Sequence, residues 1–285
     1  MRLGSRVFDR SARLVMGIVN VTPDSFYDAG RAFGLEPALA VVDDLVTEGA
    51  DIIDVGGVKA GLGPEVTPGE EIQRVEKLVA GVRSSHPDLL ISVDTWRAEV
   101  ARVALFAGAD IINDAWGGYD PALVEVAAEF GASIVCTHTG GLEPRTYAPR
   151  VRYADVLGEV ATFLTELATR ARAEGVPDDR IIIDPGHDFA KNTWHSLELT
   201  RRLDELVGLG WPVLVSTSNK DFIGETLGLT KYERVEGTLA TLAICAWHGA
   251  QIFRVHNVLA ARRAIDMTAS ITGHRPPTRT TRALA

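Results

Sequence analysis

Polar residues able to do chemistry recur in this chain directly after short apolar runs. Asn20 ends the run 14–19, Asp54 follows Ile52-Ile53, and Asp94 follows 89–93. Asn113 follows 109–112, His138 closes 133–137, and Asp184 follows Ile181-Ile182-Ile183. Ser216 to Lys220 follow 212–215, and Arg254 and His256 follow 251–253. Their chemistry divides into two sets. Asn113, Asp94 and Asp184 offer amide and carboxylate groups that suit the donor and acceptor edge of a heterocycle. Arg254, His256 and Lys220 offer cationic or imidazole groups that suit a phosphate. The ligand this pattern expects is a polar heterocycle carrying phosphate.

Each residue has a plainer explanation. A strand-end Asp or Asn caps the following helix more often than not. His138, Lys220, Arg254 and His256 are not ordinary caps, so capping does not account for the series. A metal site built from His138, His256, Asp54 or Asp184 lacks the close histidine spacing of a zinc cage. Trp96, Trp116, Trp194, Trp211 and Trp247 read as core or mouth-lining packing. Ser25 and Ser218 lack the G-x-S-x-G elbow of a nucleophile.

The elements that must position these groups alternate. Leu14 to Val19 reads as a buried strand that runs into Thr22, Pro23, Asp24 and Ser25, which are turn and cap residues. Helix-like spacing covers 37–48, 69–84, 97–106 and 122–130, then a long helix ending near 175. Further helices are expected over 196–207 and 234–248, and a final one running to about 270, each pair separated by one of the apolar runs. Eight strand–helix alternations predict an α/β fold, a single (β/α)8 TIM barrel with its strand ends at one mouth. An open doubly wound sheet is the alternative, and the lack of a G-x-G-x-x-G turn after the first strand argues against it. The barrel is expected over 1–275, with 276–285 as a loosely ordered tail.

Of the 285 residues, 46% are hydrophobic and 24% charged, enough apolar content for a sizeable core. The net charge of -9 without a Lys/Arg stripe argues against a nucleic-acid partner. No run has the length of a membrane span, and Cys136 and Cys245 both lie in apolar segments. A cytoplasmic location is the expectation.

Several stretches together resemble dihydropteroate synthase. They are Gly17-Ile-Val-Asn-Val-Thr-Pro-Asp-Ser-Phe26, Asp54-Val-Gly-Gly57, Ser92-Val-Asp-Thr95 and Ile112-Asn-Asp114. Asp184-Pro-Gly186, Lys220 before Phe222-Ile-Gly224, Glu236-Gly-Thr238 and Arg254-Val-His256 continue the series in order. The resemblance implies a TIM barrel that joins 6-hydroxymethyl-7,8-dihydropterin diphosphate to 4-aminobenzoate and releases pyrophosphate, with magnesium. By position it places pterin contacts on Asp94, Asn113, Asp184 and Lys220, diphosphate contacts on Arg254 and His256, and the magnesium-side contact on Asn20. The catalytic set it implies is Asp94, Lys220, Arg254 and His256. Phe26 falls in a first loop that closes over the substrates, and a homodimer is implied.

Three departures fall in the acceptor loops. Where the family has Ser-Thr-Arg-Pro-Gly after Gly57, this chain has Val58-Lys-Ala-Gly-Leu-Gly-Pro64, with Lys59 as its cation. A lysine replaces the charge but not the bidentate fork. Ser218-Asn-Lys-Asp221 replaces Ser-Arg-Lys-Ser, so Asp221 sets a carboxylate where the family holds the aminobenzoate carboxylate, and Asn219 removes an arginine. Asp188 stands where the family commonly has Gly beside the pterin, and is expected to crowd or repel the ring. The expectation is a dihydropteroate-synthase-like protein with weak or lost synthase activity. The alternative is a non-catalytic pterin- or phosphate-binding paralogue. Methyl transfer from a folate fits less well, because Arg254-Val-His256 suits a diphosphate.

Overall fold

A computed structural model describes residues 1–21, 34–59, 61–146 and 152–282. Phe26 and the turn residues 22–25 lie outside the described residues. The barrel strands are β1 Leu14–Asn20, β2 Ile52–Gly56, β3 Leu90–Asp94 and β4 Ile111–Asp114, then β5 Ser133–Thr137, β6 Ile181–Asp184, β7 Leu214–Val215 and β8 Ile252–Val255. They pair in parallel in the order β6-β5-β4-β3-β2-β1-β8-β7. A parallel bridge between Ile183 and Val213 joins the two ends into a ring, the expected (β/α)8 architecture.

The outer layer begins with α1 Leu35–Thr47, α2 Pro68–Ser85, α3 Ala98–Phe106, α4 Ala122–Phe130 and α5 Val156–Ala173. It continues with α6 Thr193–Arg201, α7 Leu203–Val207, α8 Asp221–Leu227, α9 Val235–Trp247 and α10 Val258–Ile271. Local chemistry sets several boundaries. Thr67 and Glu70 form a reciprocal capping box with Pro68 in the first turn of α2. Gly131, in the left-handed region, ends α4. Among the described residues no helix is long and apolar enough to cross a membrane.

The two-residue period of the strands explains the mouth. Leu14, Met16, Ile52, Leu90, Ile111, Val135, Ile182, Leu214 and Ile252 form one buried cluster to which every barrel strand contributes. Leu3 completes it from a short antiparallel hairpin, Arg2–Leu3 with Arg6–Val7, that the sequence reading did not foresee. Two residues further along the same inward register stand Asp54, Ser92, Asn113, Thr137, Asp184 and Arg254, and a further two bring Asp94. The apolar floor and the polar mouth are thus successive layers of one register.

Several expected boundaries shift for identifiable reasons. β7 begins at Leu214 rather than residue 212, because Pro212 has no N–H for the ladder; its carbonyl accepts the Ile183 N–H at 2.9 Å. β4 begins at Ile111 because the Ala109 N–H still bonds back to Ala104 at the end of α3. β8 runs on to Val255, so Arg254 lies within the ladder, opposite Met16. The helix expected over 196–207 is two helices, broken where Arg202 leaves helical geometry. Within the seventh mouth loop, α8 forms because Phe222 and Ile223 find burial, and Gly228 stops it in the left-handed region.

Candidate functional site

Arg254 joins the carboxylates of the mouth. Its Nε donates to Asp54 Oδ2 at 2.6 Å and its Nη2 to Asp94 Oδ2 at 2.8 Å. Asp54 is fully buried and also accepts from Ser92 Oγ at 2.6 Å and Asn113 Nδ2 at 3.2 Å. Burial alone would lower the Arg254 pKa, but Asp54 and Asp94 outweigh it and raise it. For Asp94, burial is the larger effect: it carries the carboxyl up to about 7 against the pull of Arg254, with Asp54 adding to the rise. Asp94 is therefore poised to gain or lose a proton near neutrality. Asp54, which the sequence reading placed only at a strand end, is the hub of this network.

Asp184 projects two residues beyond Ile182, and its Oδ1 accepts the Gly186 N–H at 2.7 Å. Burial raises its pKa against that hydrogen bond and the nearby Lys220, Lys191 and Arg254 charges. Lys220 is lowered by burial, opposed by Asp188 and Asp184. Its ammonium donates to the His187 carbonyl and lies 4.5 Å from the centre of the Phe189 ring. His256, at the rim, is held at about 4 by loss of solvent and then by the Arg254, Lys231 and Lys220 charges. Ser218 Oγ lies 3.0 Å from His256 Nδ1 and accepts the His256 backbone N–H at 3.2 Å. Its own proton can therefore go to Nδ1, which leaves the ring proton on Nε2 as a neutral donor.

Two of the departures differ from their sequence expectation. Asp188 is engaged by the chain itself: its Oδ2 accepts the Asp221 N–H at 2.6 Å and the Phe222 N–H at 3.3 Å, capping α8. Its φ of 66° accounts for a position that glycine would occupy easily. Asp221 does not lack a cation. Its carboxylate takes Arg234 Nη1 at 2.8 Å, and the same nitrogen donates to the Asn219 carbonyl at 2.9 Å. Asn219, at φ 57°, donates its N–H to Thr238 Oγ1 at 3.1 Å. Arg234 approaches so closely that a Cβ on Gly224 would collide with its guanidinium.

Lys59 is exposed on the second loop. It is not the sole cation there, because Arg145 crosses from the loop after β5. Its Nη1 donates to the Pro64 carbonyl at 2.8 Å and its Nε to Gly61 at 3.3 Å. Sequence spacing gave no signal for either: Arg145 reaches a loop remote in the chain, and Arg234 folds back across α8 onto Asn219 and Asp221 within its own connection. Asn20 ends β1 beside Gly56, where a Cβ would lie 3.0 Å from its Oδ1.

His138 does not join the mouth. It follows Thr137 by one residue and so points to the outer face, where it packs edge-on against Phe163 at 5.0 Å. Burial and then Lys191 depress its pKa to about 3. Lys191 Nζ is held by His138 Nδ1 at 2.7 Å and by the carbonyls of Phe189 at 2.9 Å, Gly186 at 3.0 Å and His138 at 3.3 Å. Trp96 and Trp116 line the mouth with Val58 and Phe189, as expected of packing tryptophans. Trp194 and Trp247 instead stand exposed.

Comparison with known proteins agrees with this geometry. A family model described as pterin binding enzyme matches residues 16–256. The chain is 58% identical over 277 residues to a Mycobacterium leprae protein named inactive dihydropteroate synthase 2, covering 96% of this chain and 95% of that one. It is 39% identical over 275 residues to the dihydropteroate synthase of Streptococcus pyogenes, covering 95% and 100%. Xanthomonas albilineans dihydropteroate synthase, solved with 4-aminobenzoic acid, superposes with a TM-score of 0.86 at 37% identity, over 94% of this chain and 96% of that one.

Proposed function

This chain belongs to the pterin-binding enzyme family and is dihydropteroate-synthase-like, and from that premise we propose that it holds 6-hydroxymethyl-7,8-dihydropterin diphosphate while its own transfer to 4-aminobenzoate is weak or lost. One observation carries the reading: the pterin-side groups Asp94, Asn113 and Asp184 share one mouth, while the acceptor-side groups are committed to one another. Asp188 holds the Asp221 amide, and Arg234 holds the Asp221 carboxylate and Asn219. The Mycobacterium leprae relative is itself named inactive.

In this reading Asn113 and Asp184 read the heterocycle's donor and acceptor edge, and Lys220, already held beside Phe189, meets it there. Arg254 and the Nε2–H of His256 meet the diphosphate. Arg254 Nη1 has no hydrogen-bond partner among the described residues, so it can engage an anion without releasing Asp54 or Asp94. When the bond between the pterin methylene and the diphosphate oxygen breaks, the electron pair leaves with pyrophosphate, and these donors stabilise it. Ionised Asp94 stabilises the electron-poor pterin left behind. Productive transfer also needs an oriented amine, and Arg234, which could meet a benzoate, is already held by Asp221 and Asn219.

Among the described residues no cluster of three or more His, Cys, Asp or Glu side chains would hold a metal. The side-chain oxygen of Asn20 would supply one neutral ligand to magnesium, a hard cation that keeps several waters and binds substrate phosphates, so the diphosphate and water would fill the rest of its shell. When bound, the ion would neutralise charge on the leaving diphosphate. A cytoplasmic homodimer completes the proposal; exposed Trp247, Ile244, Met267 and Ile271 on α9 and α10 support the dimer.

The test is calorimetric titration with the pterin diphosphate and magnesium, paired with a pyrophosphate-release assay on 4-aminobenzoate. Saturable pterin binding with release near background is the expected result. Turnover of about 1 s⁻¹ or faster, the ordinary enzyme range, would overturn the loss of activity. Absence of pterin binding would overturn the binding assignment.

A further inference from the structure

Three consecutive residues after β6 hold the segment that carries Lys220. The His187 carbonyl accepts from its ammonium, and the Phe189 ring faces that ammonium at 4.5 Å. Between them, the Asp188 carboxylate accepts the first two amides of α8, those of Asp221 and Phe222. Lys220, at the N-cap position of that helix, makes no side-chain cap of its own. The cap is supplied from another loop.

Asp188 is in turn anchored. Its Oδ1 lies 3.0 Å from Ser196 Oγ, and its own N–H donates to the same oxygen at 3.2 Å. Ser196 is fully buried on α6. The chain of contacts therefore runs from a buried helix, through one carboxylate, to the residue directly after Lys220. A glycine at 188 would meet the left-handed φ at no cost, but would offer no oxygen to either partner.

We propose that Asp188 is a positioning residue: anchored by Ser196, it staples the loop after β6 to the start of α8 and fixes Lys220 at the mouth before a ligand arrives. The consequence for binding rests on the reading that Lys220 meets the pterin. The staple itself does not. Pre-placing Lys220 removes an ordering cost from binding, since a side chain already fixed loses less freedom when the ligand arrives. The same staple holds the acceptor side in one arrangement, because Asp221 is both capped by Asp188 and paired with Arg234.

The experiment compares the full-length chain with Asp188→Gly, which suits the backbone and deletes the carboxylate, and with Asp188→Asn, which keeps one acceptor oxygen. Two measurements need no ligand: hydrogen exchange at the Asp221 and Phe222 amides, and the rate of Lys220 acetylation followed by mass spectrometry. A third is the dissociation constant for the pterin diphosphate. Asp188→Gly should speed exchange at both amides and acetylation of Lys220 by about tenfold, the scale of one lost charge-assisted hydrogen bond. It should weaken pterin binding by a similar factor, and Asp188→Asn should recover part of each change. Unchanged exchange and labelling in Asp188→Gly would overturn the staple. A lower melting temperature with unchanged pterin affinity would show a merely structural cap and overturn the positioning role. If the native chain does not bind the pterin, the proposed function falls, and the exchange and labelling results still decide whether Asp188 fixes Lys220.

Discussion

Asp54 shows how much one buried carboxylate demands of its neighbours. It is fully buried, and Ser92, Asn113 and Arg254 all donate to it. Arg254→Leu would leave that charge without its cation, which in a buried pair costs about 3–5 kcal/mol. The exposed pair of Arg102 and Glu129 is a fair control, since such surface pairs contribute about 0–1 kcal/mol. Urea denaturation of Arg254→Leu and Arg102→Leu should separate them clearly, and similar midpoints would refute the network's weight. Asp94 gives a second residue-scale prediction. Its carboxyl is raised from 3.8 to about 7, so the folded chain retains a proton that the unfolded chain releases. The associated stability is fully present below 3.8 and is lost as pH rises through about 7. Ligand binding should move the opposite way. An ionised Asp94 offers two acceptor oxygens to the donor edge of the pterin, so affinity should climb through neutrality. Asp94→Asn should flatten that profile; an unaltered profile would assign the titration elsewhere.

At the scale of elements, the hairpin before β1 and the strands make one point together. Leu3 closes the floor of the barrel at full burial, beneath residues from all eight strands. Leu3→Ala should therefore cost about 2–5 kcal/mol, measured as a loss in unfolding free energy, and a cost within experimental error would mean that the floor is sealed without the hairpin. Short apolar runs made the strands legible in the sequence, and with them Asp94, Asn113, Asp184 and Arg254. The two-residue alternation of a strand, applied from Thr137 to the next residue, would have put His138 outside the barrel. Strand ends were harder to read because they depend on partners: Ala109 is retained by α3, and Pro212 cannot donate. Least legible were contacts between loops. Asp188 was expected to crowd a ligand, yet it caps α8 thirty-three residues away, and Asp221 was expected to lack the cation that Arg234 supplies. Motifs reveal residue types in order; the Asp188 contact is set by the closed ring, and the Arg234 contact by the way one connection folds back on itself.

Across the whole molecule, the proposed homodimer and the mouth occupy different parts of one scaffold. Isolated exposed apolar side chains are ordinary on a protein surface. Here Ile244 and Trp247 on α9, exposed by 46% and 61%, accompany Met267 and Ile271 on the adjoining α10, each exposed by 62%. Two neighbouring helices thus each present exposed apolar side chains, among them a tryptophan able to anchor a partner. Trp247→Arg adds charge to that surface without entering the core, so the variant should fold and sediment as a monomer where the native chain sediments as a dimer. A native chain that is monomeric throughout the micromolar range, or a Trp247→Arg chain that stays dimeric, would remove this surface from consideration. The mouth groups all come from one copy: Asp54, Asp94, Asn113, Asp184, Lys220 and Arg254 converge within a single ring of strands. The monomeric variant should therefore keep its affinity for the pterin diphosphate. If affinity falls when dimerisation is lost, the connection lies in Arg234, which stands at the N-cap of α9 and grips Asn219 and Asp221 on either side of Lys220. Hydrogen exchange at those residues would then change with the oligomeric state.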